Sequence, residues 1–148
     1  MIIISACLLG VKCRYDGGSR PEEALSTIQT TRHLVPLCPE QLGGLSTPRA
    51  PSTISNGDGD DVLAGRSRVV DSEGKDVTEQ FLRGAHEALR IATILGVDRA
   101  ILKEKSPSCG VHFIKRDGIM IRGTGVTAAL LRRHGIRVIS SERIHDDV

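Results

Sequence analysis

The chain opens on an uninterrupted apolar run, Ile2-Ile3-Ile4, closed by Ser5-Ala6-Cys7 and bounded at Gly10. A short β-branched run ended by a turn residue predicts a buried strand. Gly10, Gly17 and Gly18 with Lys12, Arg14, Asp16 and Arg20 then read as a polar loop. Pro21 suits a first helical turn and Glu22 and Glu23 its positive end, which predicts a helix from residue 21 to about Arg32. Residues 34–38 predict a second short strand, although Pro36 has no amide for a ladder. Residues 43–66 are rich in Gly, Ser, Pro and Asp and predict the longest irregular stretch, a length usually tied to function or mobility.

The strongest periodic signal covers residues 78–95. Phe81, Ala85, Ala88, Leu89, Ala92 and Leu95 share one helical face, and Gly96 ends it. Asp76 or Thr78 is expected to cap this helix, with Glu79 closing a capping box with Asp76. Residues 68–71 read as a short strand, 100–102 as a buried strand and 118–122 as a small one. A second clear helix is expected over 126–134, capped by Thr124 and ended by Gly135, before a last strand over 136–139.

Strands alternating with helices predict an α/β fold: a single-domain, Rossmann-like three-layer sandwich around a mostly parallel sheet, over residues 1–148. Ligands of such sheets sit beyond the carboxyl ends of the strands. Cys7, Cys38 and the Ser106–Cys109 segment each follow a predicted strand, so three distant cysteines are expected to converge at one sheet edge.

Composition narrows the function. The 148 residues carry a net charge of +2, which gives no strong field for nucleic acid or an anionic membrane. Aromatics make up 2% (Tyr15, Phe81 and Phe113), too few for the stacking platforms of a polymeric nucleic-acid binder. The apolar start has no basic region before it and is too short for a signal peptide or a spanning helix. The reading is a cytoplasmic enzyme with a small-molecule partner, acting as monomer or homodimer.

The four cysteines, Cys7, Cys13, Cys38 and Cys109, are spaced Cys-x5-Cys, then 24 residues, then Cys, then 70 residues, then Cys. Disulfides are rare in the cytosol, so metal binding or catalysis is the preferred use. The Cys-x2-Cys pair of most zinc sites and ferredoxins is missing, so spacing alone leaves four isolated thiols as an open reading. Context adds to it. Pro39 and Gly110 flank Cys38 and Cys109, and turn amides there can bond cluster sulfurs. Arg14, Arg20, Lys103 and Lys105 lie nearby in sequence and favour thiolates or an anionic cluster.

Seven segments occur in order: Ser5-Ala6-Cys7-Leu8-Leu9-Gly10; Cys13-Arg14-Tyr15-Asp16-Gly17; Cys38-Pro39-Glu40; Gly65; Gly74 with Asp76-Val77-Thr78; Leu102-Lys103-Glu104 with Ser106-Pro107-Ser108-Cys109-Gly110; and Gly123 to Ala128. Together they resemble the YbbK-like family, formerly a domain of unknown function, which includes the iron–sulfur-dependent thiouracil desulfidases. The resemblance covers essentially the whole chain. It implies a [4Fe-4S] cluster on three cysteines, with an open iron for the sulfur of a thiolated base or nucleoside, and non-redox desulfuration that releases sulfide. Carried over by motif, the ligands are Cys7, Cys38 and Cys109, with Cys13 as the alternative to Cys7.

Glu40, two residues from a proposed ligand, is the candidate base and proton shuttle, or else a plain helix N-terminal carboxylate. Ser106 and Ser108 are candidates to orient substrate or water, and equally turn formers. Lys103 is a candidate to stabilise charge on the substrate ring, or else a solvated strand-end cation. Asp16 reads as a turn residue. His33, His86, His112, His134 and His145 lack ligand spacing. Two rivals stay open: a structural zinc protein using all four thiolates, and a nucleotide- or anion-binding module at Gly123-Thr124-Gly125-Val126-Thr127-Ala128.

Overall fold

The computed structural model describes residues 1–144, so the reading of His145 lies outside the described residues. Strand β1 (Ile2–Ser5) is followed by a 3-10 turn at Ala6–Leu9, helix α1 (Leu25–Thr31), β2 (Leu34–Leu37) and α2 (Pro39–Leu42). Then come β3 (Ser52–Ile54), α3 (Gly59–Leu63), β4 (Val69–Asp71), α4 (Thr78–Leu95) and β5 (Arg99–Leu102). A hairpin of β6 (Phe113–Arg116) and β7 (Ile119–Arg122), helix α5 (Val126–Arg133) and β8 (Arg137–Ser140) complete it.

The central sheet is four-stranded and parallel, in the order β2-β1-β5-β8. Register runs from Ile2 opposite Leu34 to Ser5 opposite Leu37, and from Arg99 opposite Arg137 to Leu102 opposite Ser140. Side chains alternate across the pleat. Ile3, Ala100 and Leu102 pack on Ala88 and Ala92 of α4 and Ala128 and Leu131 of α5. Ile2, Ile4, Ile101 and Ile139 pack on the opposite face with Leu25 and Ile28 of α1. These are the three layers that the sequence predicts, with β1 at the centre because both faces of Ile2-Ile3-Ile4 need cover. Pro36 is tolerated because β2 is an edge strand.

A third apolar cluster joins the two-stranded β3–β4 sheet and α3 to the flank of α4, with Phe81 at its centre. The stretch 43–66, expected to be irregular, thus contains β3 and α3, and α3 carries a capping box between Asp58 and Asp61. The box expected at Asp76 and Glu79 does not form. Asp76 instead accepts from the Thr78 amide at 2.9 Å and pairs with Arg68 at 2.8 Å. Helix α1 starts at Leu25 rather than at residue 21, because Arg20 and Glu22 donate their amides to the Cys7 and Leu8 carbonyls. That pairing ties the approach to α1 onto the turn carrying Cys7. Strand β6 was not expected; it pairs antiparallel with β7. Among the described residues, no helix is long and apolar enough to cross a membrane.

Candidate active site

From β1 the chain steps outward to β2, and β5 returns on the other side of β1. The carboxyl ends of β1 and β5 therefore flank a topological switch point, where parallel sheets open a crevice. A cavity of about 880 Å³ lies there, lined by Cys7, Cys13, Cys38 and Cys109 together with Glu40 and Lys103. Four thiols from across the sequence line it, and all four are free. The small β3–β4 sheet and the β6–β7 hairpin add Thr53, Asp71, Lys115 and Asp117 to the lining.

Cys7 sits in the 3-10 turn that continues β1, and Cys38 directly follows β2 and precedes α2. Cys13 hydrogen-bonds to both. The bond from Cys13, helped by the Lys103 cation, holds the Cys7 thiol below its ordinary pKa despite burial. Cys38 is pushed well up, first by its bond with Cys13 and then by burial. Cys13 is raised, since its bonds to Cys38 and Cys7 act in opposite senses and burial tips the balance. Cys109 stands apart, pushed up to about 12 by burial, with Ser5 and Ser108 bonding its sulfur. Soft sulfur donors dominate the set, and only an electropositive metal group would favour all of them as thiolates.

Cys109 lies seven residues past the end of β5 and is anchored differently. Buried Glu104 accepts the amides of Val111, His112 and Phe113 on Oε1 at 2.7, 2.9 and 3.0 Å, and the Ser140 hydroxyl on Oε2 at 2.6 Å. Burial works to raise its pKa, but these bonds outweigh burial and hold it below the ordinary carboxylate value. The same loop caps α5: the amides of Gly125, Val126 and Thr127 donate to the carbonyls of Gly110, Pro107 and Ser108 at 2.8–2.9 Å. A Cβ on Gly125 would stand 2.5 Å from the Ser108 carbonyl, so only glycine lets the backbones meet. Thr124 makes no side-chain cap on this helix.

Glu40, in the first turn of α2, is paired with Arg49 at 2.7 Å and lines the cavity. Lys103 is half-buried there; burial lowers its pKa, and its Nζ donates to the Glu104 carbonyl at 2.9 Å. Ser106 lines the cavity while its Oγ accepts the amides of Ser108 and Cys109 at 3.1 Å. Ser108 is not on the cavity wall: its hydroxyl is buried against Thr127 at 2.9 Å, so it meets the site through Cys109. Asp16 accepts the Gly18 amide at 2.8 Å, as a turn residue does. Sequence patterns assign no role to Glu104 or Arg49. Glu104 was visible within Leu102-Lys103-Glu104 but carried no sign of its three amide partners, and Arg49 sat in a stretch without periodicity.

One rival falls on this geometry. The amides opening α5 are already bonded to loop carbonyls, which leaves Gly123-Thr124-Gly125 as a packing turn rather than a phosphate cradle. A closed zinc site and an iron–sulfur cluster both draw on thiolate donors, and the cavity lining supplies them. Soft sulfur donors lining one cavity match the donor chemistry of an iron–sulfur cluster.

A sheet-edge cavity walled by thiols, with a carboxylate and a half-buried lysine beside them, defines a thiol-centred α/β enzyme. The chain belongs to the 2-thiouracil desulfurase family, whose model matches residues 2–143. It is 45% identical over 149 residues to the uncharacterized protein YbbK of Bacillus subtilis (strain 168), covering 99% of each. Its structure is similar to that of the [4Fe-4S]-dependent thiouracil desulfidase TudS, with TM-score 0.84 and 41% identity, covering 98% of this chain and 93% of that one.

Proposed function

We propose that the chain, as one cytoplasmic domain over residues 1–148, removes sulfur from a small thiolated base or nucleoside such as thiouracil. A thiocarbonyl and water give a carbonyl and hydrogen sulfide, with no net electron transfer. The observation that carries this reading is the meeting of Cys7, Cys38 and Cys109 in one cavity that also holds Glu40 and Lys103. Cys7, Cys38 and Cys109 would hold the [4Fe-4S] cluster. Cys7 is preferred to Cys13 because a turn fused to a central strand is a stiffer anchor than a glycine-rich loop. When bound, the cluster supplies a Lewis acid for the soft thiocarbonyl sulfur.

The remaining steps belong to the protein. Glu40 takes a proton from water at a carboxylate oxygen as the water oxygen adds to the thiocarbonyl carbon, and returns it to the departing sulfur. Lys103 faces the negative charge that develops on the ring during addition. Ser106 orients water or substrate, and Ser108 steadies Cys109. A cavity of about 880 Å³ admits a free base or a nucleoside.

The test is anaerobic reconstitution with iron and sulfide, followed by incubation with thiouracil and assay for uracil and sulfide. Stoichiometric release of both is expected. A protein that carries its cluster yet leaves thiouracil intact would refute the substrate reading.

A further inference from the structure

We propose that Arg49 is a positioning residue that fixes the Glu40 carboxylate and the Cys13–Tyr15 loop as one unit; its catalytic arm rests on the role of Glu40 proposed above. Arg49 lies in the link before β3, and its side chain is only 8% exposed. Its Nε and Nη2 both lie 2.7 Å from Glu40 Oε2. Nη2 also donates to the Cys13 carbonyl at 2.9 Å, and Nη1 to the Ser46 carbonyl and the Thr47 hydroxyl at 3.2 and 3.0 Å. The Arg49 amide donates to the Tyr15 carbonyl at 2.8 Å.

One planar guanidinium thus spans a helix carboxylate, a cysteine-bearing loop and its own turn, a geometry that lysine's single ammonium cannot reproduce. The Cys13 carbonyl also receives the Cys38 thiol at 3.7 Å, so the same acceptor joins Arg49 to the thiol row. On the opposite flank, Gln41 donates to Thr47 at 2.8 Å and holds the Arg49 turn to α2. Both bonds to Glu40 fall on Oε2, which fixes where that carboxylate stands in the cavity.

Two measurements test this, one without the cluster. In cluster-free Arg49→Gln, alkylation of Cys13, mapped by peptide mass spectrometry, is expected to rise roughly tenfold while Cys109 is unchanged. In reconstituted protein, Arg49→Gln is expected to lower kcat about a hundredfold with KM little altered, the signature of a displaced reacting group. The double variant with Glu40→Gln is expected to lose no more than Glu40→Gln alone. Arg49→Lys, which keeps the charge, is expected to fall between the two and covers the case in which the glutamine variant fails to fold.

Unchanged Cys13 alkylation, additive losses in the double variant, or loss of iron from folded Arg49→Gln would each overturn the proposal. Failure of the wild type to desulfurate thiouracil would instead strike the functional reading and leave the alkylation result standing.

Discussion

Cys7 and Cys109 face the same cavity but are held there by opposite means. Cys7 follows a strand of three buried isoleucines, and the apolar core fixes its position two residues later. Cys109 hangs on a loop whose anchors are polar: one buried carboxylate holds three amides, and α5 takes three loop carbonyls. The first anchor draws on burial, which is diffuse and tolerant of small changes. The second depends on a few directional bonds, each costly to leave unmade. A cavity with one stiff wall and one bonded wall is expected to fail from the bonded side first.

Glu104→Ala should have the largest effect. It orphans the buried amide of Val111 and the half-buried amides of His112 and Phe113, and at about 1–3 kcal/mol for a buried donor left unpaired, less for the other two, the loss should reach several kcal/mol. Denaturant unfolding of the cluster-free protein would read it. Glu104→Gln separates charge from shape. The folded-state pKa of Glu104 lies below its ordinary 4.5, so its stabilisation is present above that value and fades as pH falls through the folded pKa. The wild type should therefore lose more Tm than Glu104→Gln between neutral pH and pH ~3; parallel curves would show that Glu104 contributes no charge-dependent stability.

Gly125→Ala should come next, at about 1–3 kcal/mol, because its Cβ would meet the Ser108 carbonyl carbon and oxygen at 2.5 Å. It should also loosen Cys109, raising its alkylation while Cys7 stays protected. Ile4→Val, on the strand side, should cost about 1 kcal/mol and leave both cysteines as they were. Thr127→Val, which removes one partner of the Ser108 hydroxyl, should cost a similar or smaller amount. If Ile4→Val exposed Cys7 as readily as Gly125→Ala exposed Cys109, the contrast between the two walls would collapse.

The same contrast explains what was legible in the sequence. The pleat of Ile2-Ile3-Ile4 and the periodic face of α4 come from burial, which leaves a repeating mark on residue types. The parallel sheet, its two helical flanks and the placement of cysteines at strand ends follow from those marks. The start of α1 departs from the sequence pattern because backbone pairing to a distant turn decides it, the capping box of α4 because Asp76 bonds Thr78 and Arg68 instead of Glu79, and β6 because its hairpin pairing with β7 leaves no clear alternation. Nothing at Pro21 reveals that the amides on either side of it will bond the turn carrying Cys7. Within the site, the cysteines and Glu40 stood in motifs. Arg49 and Glu104 act through partners 36 and seven to nine residues away, and such pairings have no period to detect.

Which thiols hold the cluster is measured by iron and acid-labile sulfide per chain after anaerobic reconstitution of single Cys→Ser variants. The expected result is that Cys7→Ser, Cys38→Ser and Cys109→Ser each lose the brown colour and most of the iron, while Cys13→Ser keeps both. Full iron retained in Cys109→Ser, with the protein still folded, would contradict the account.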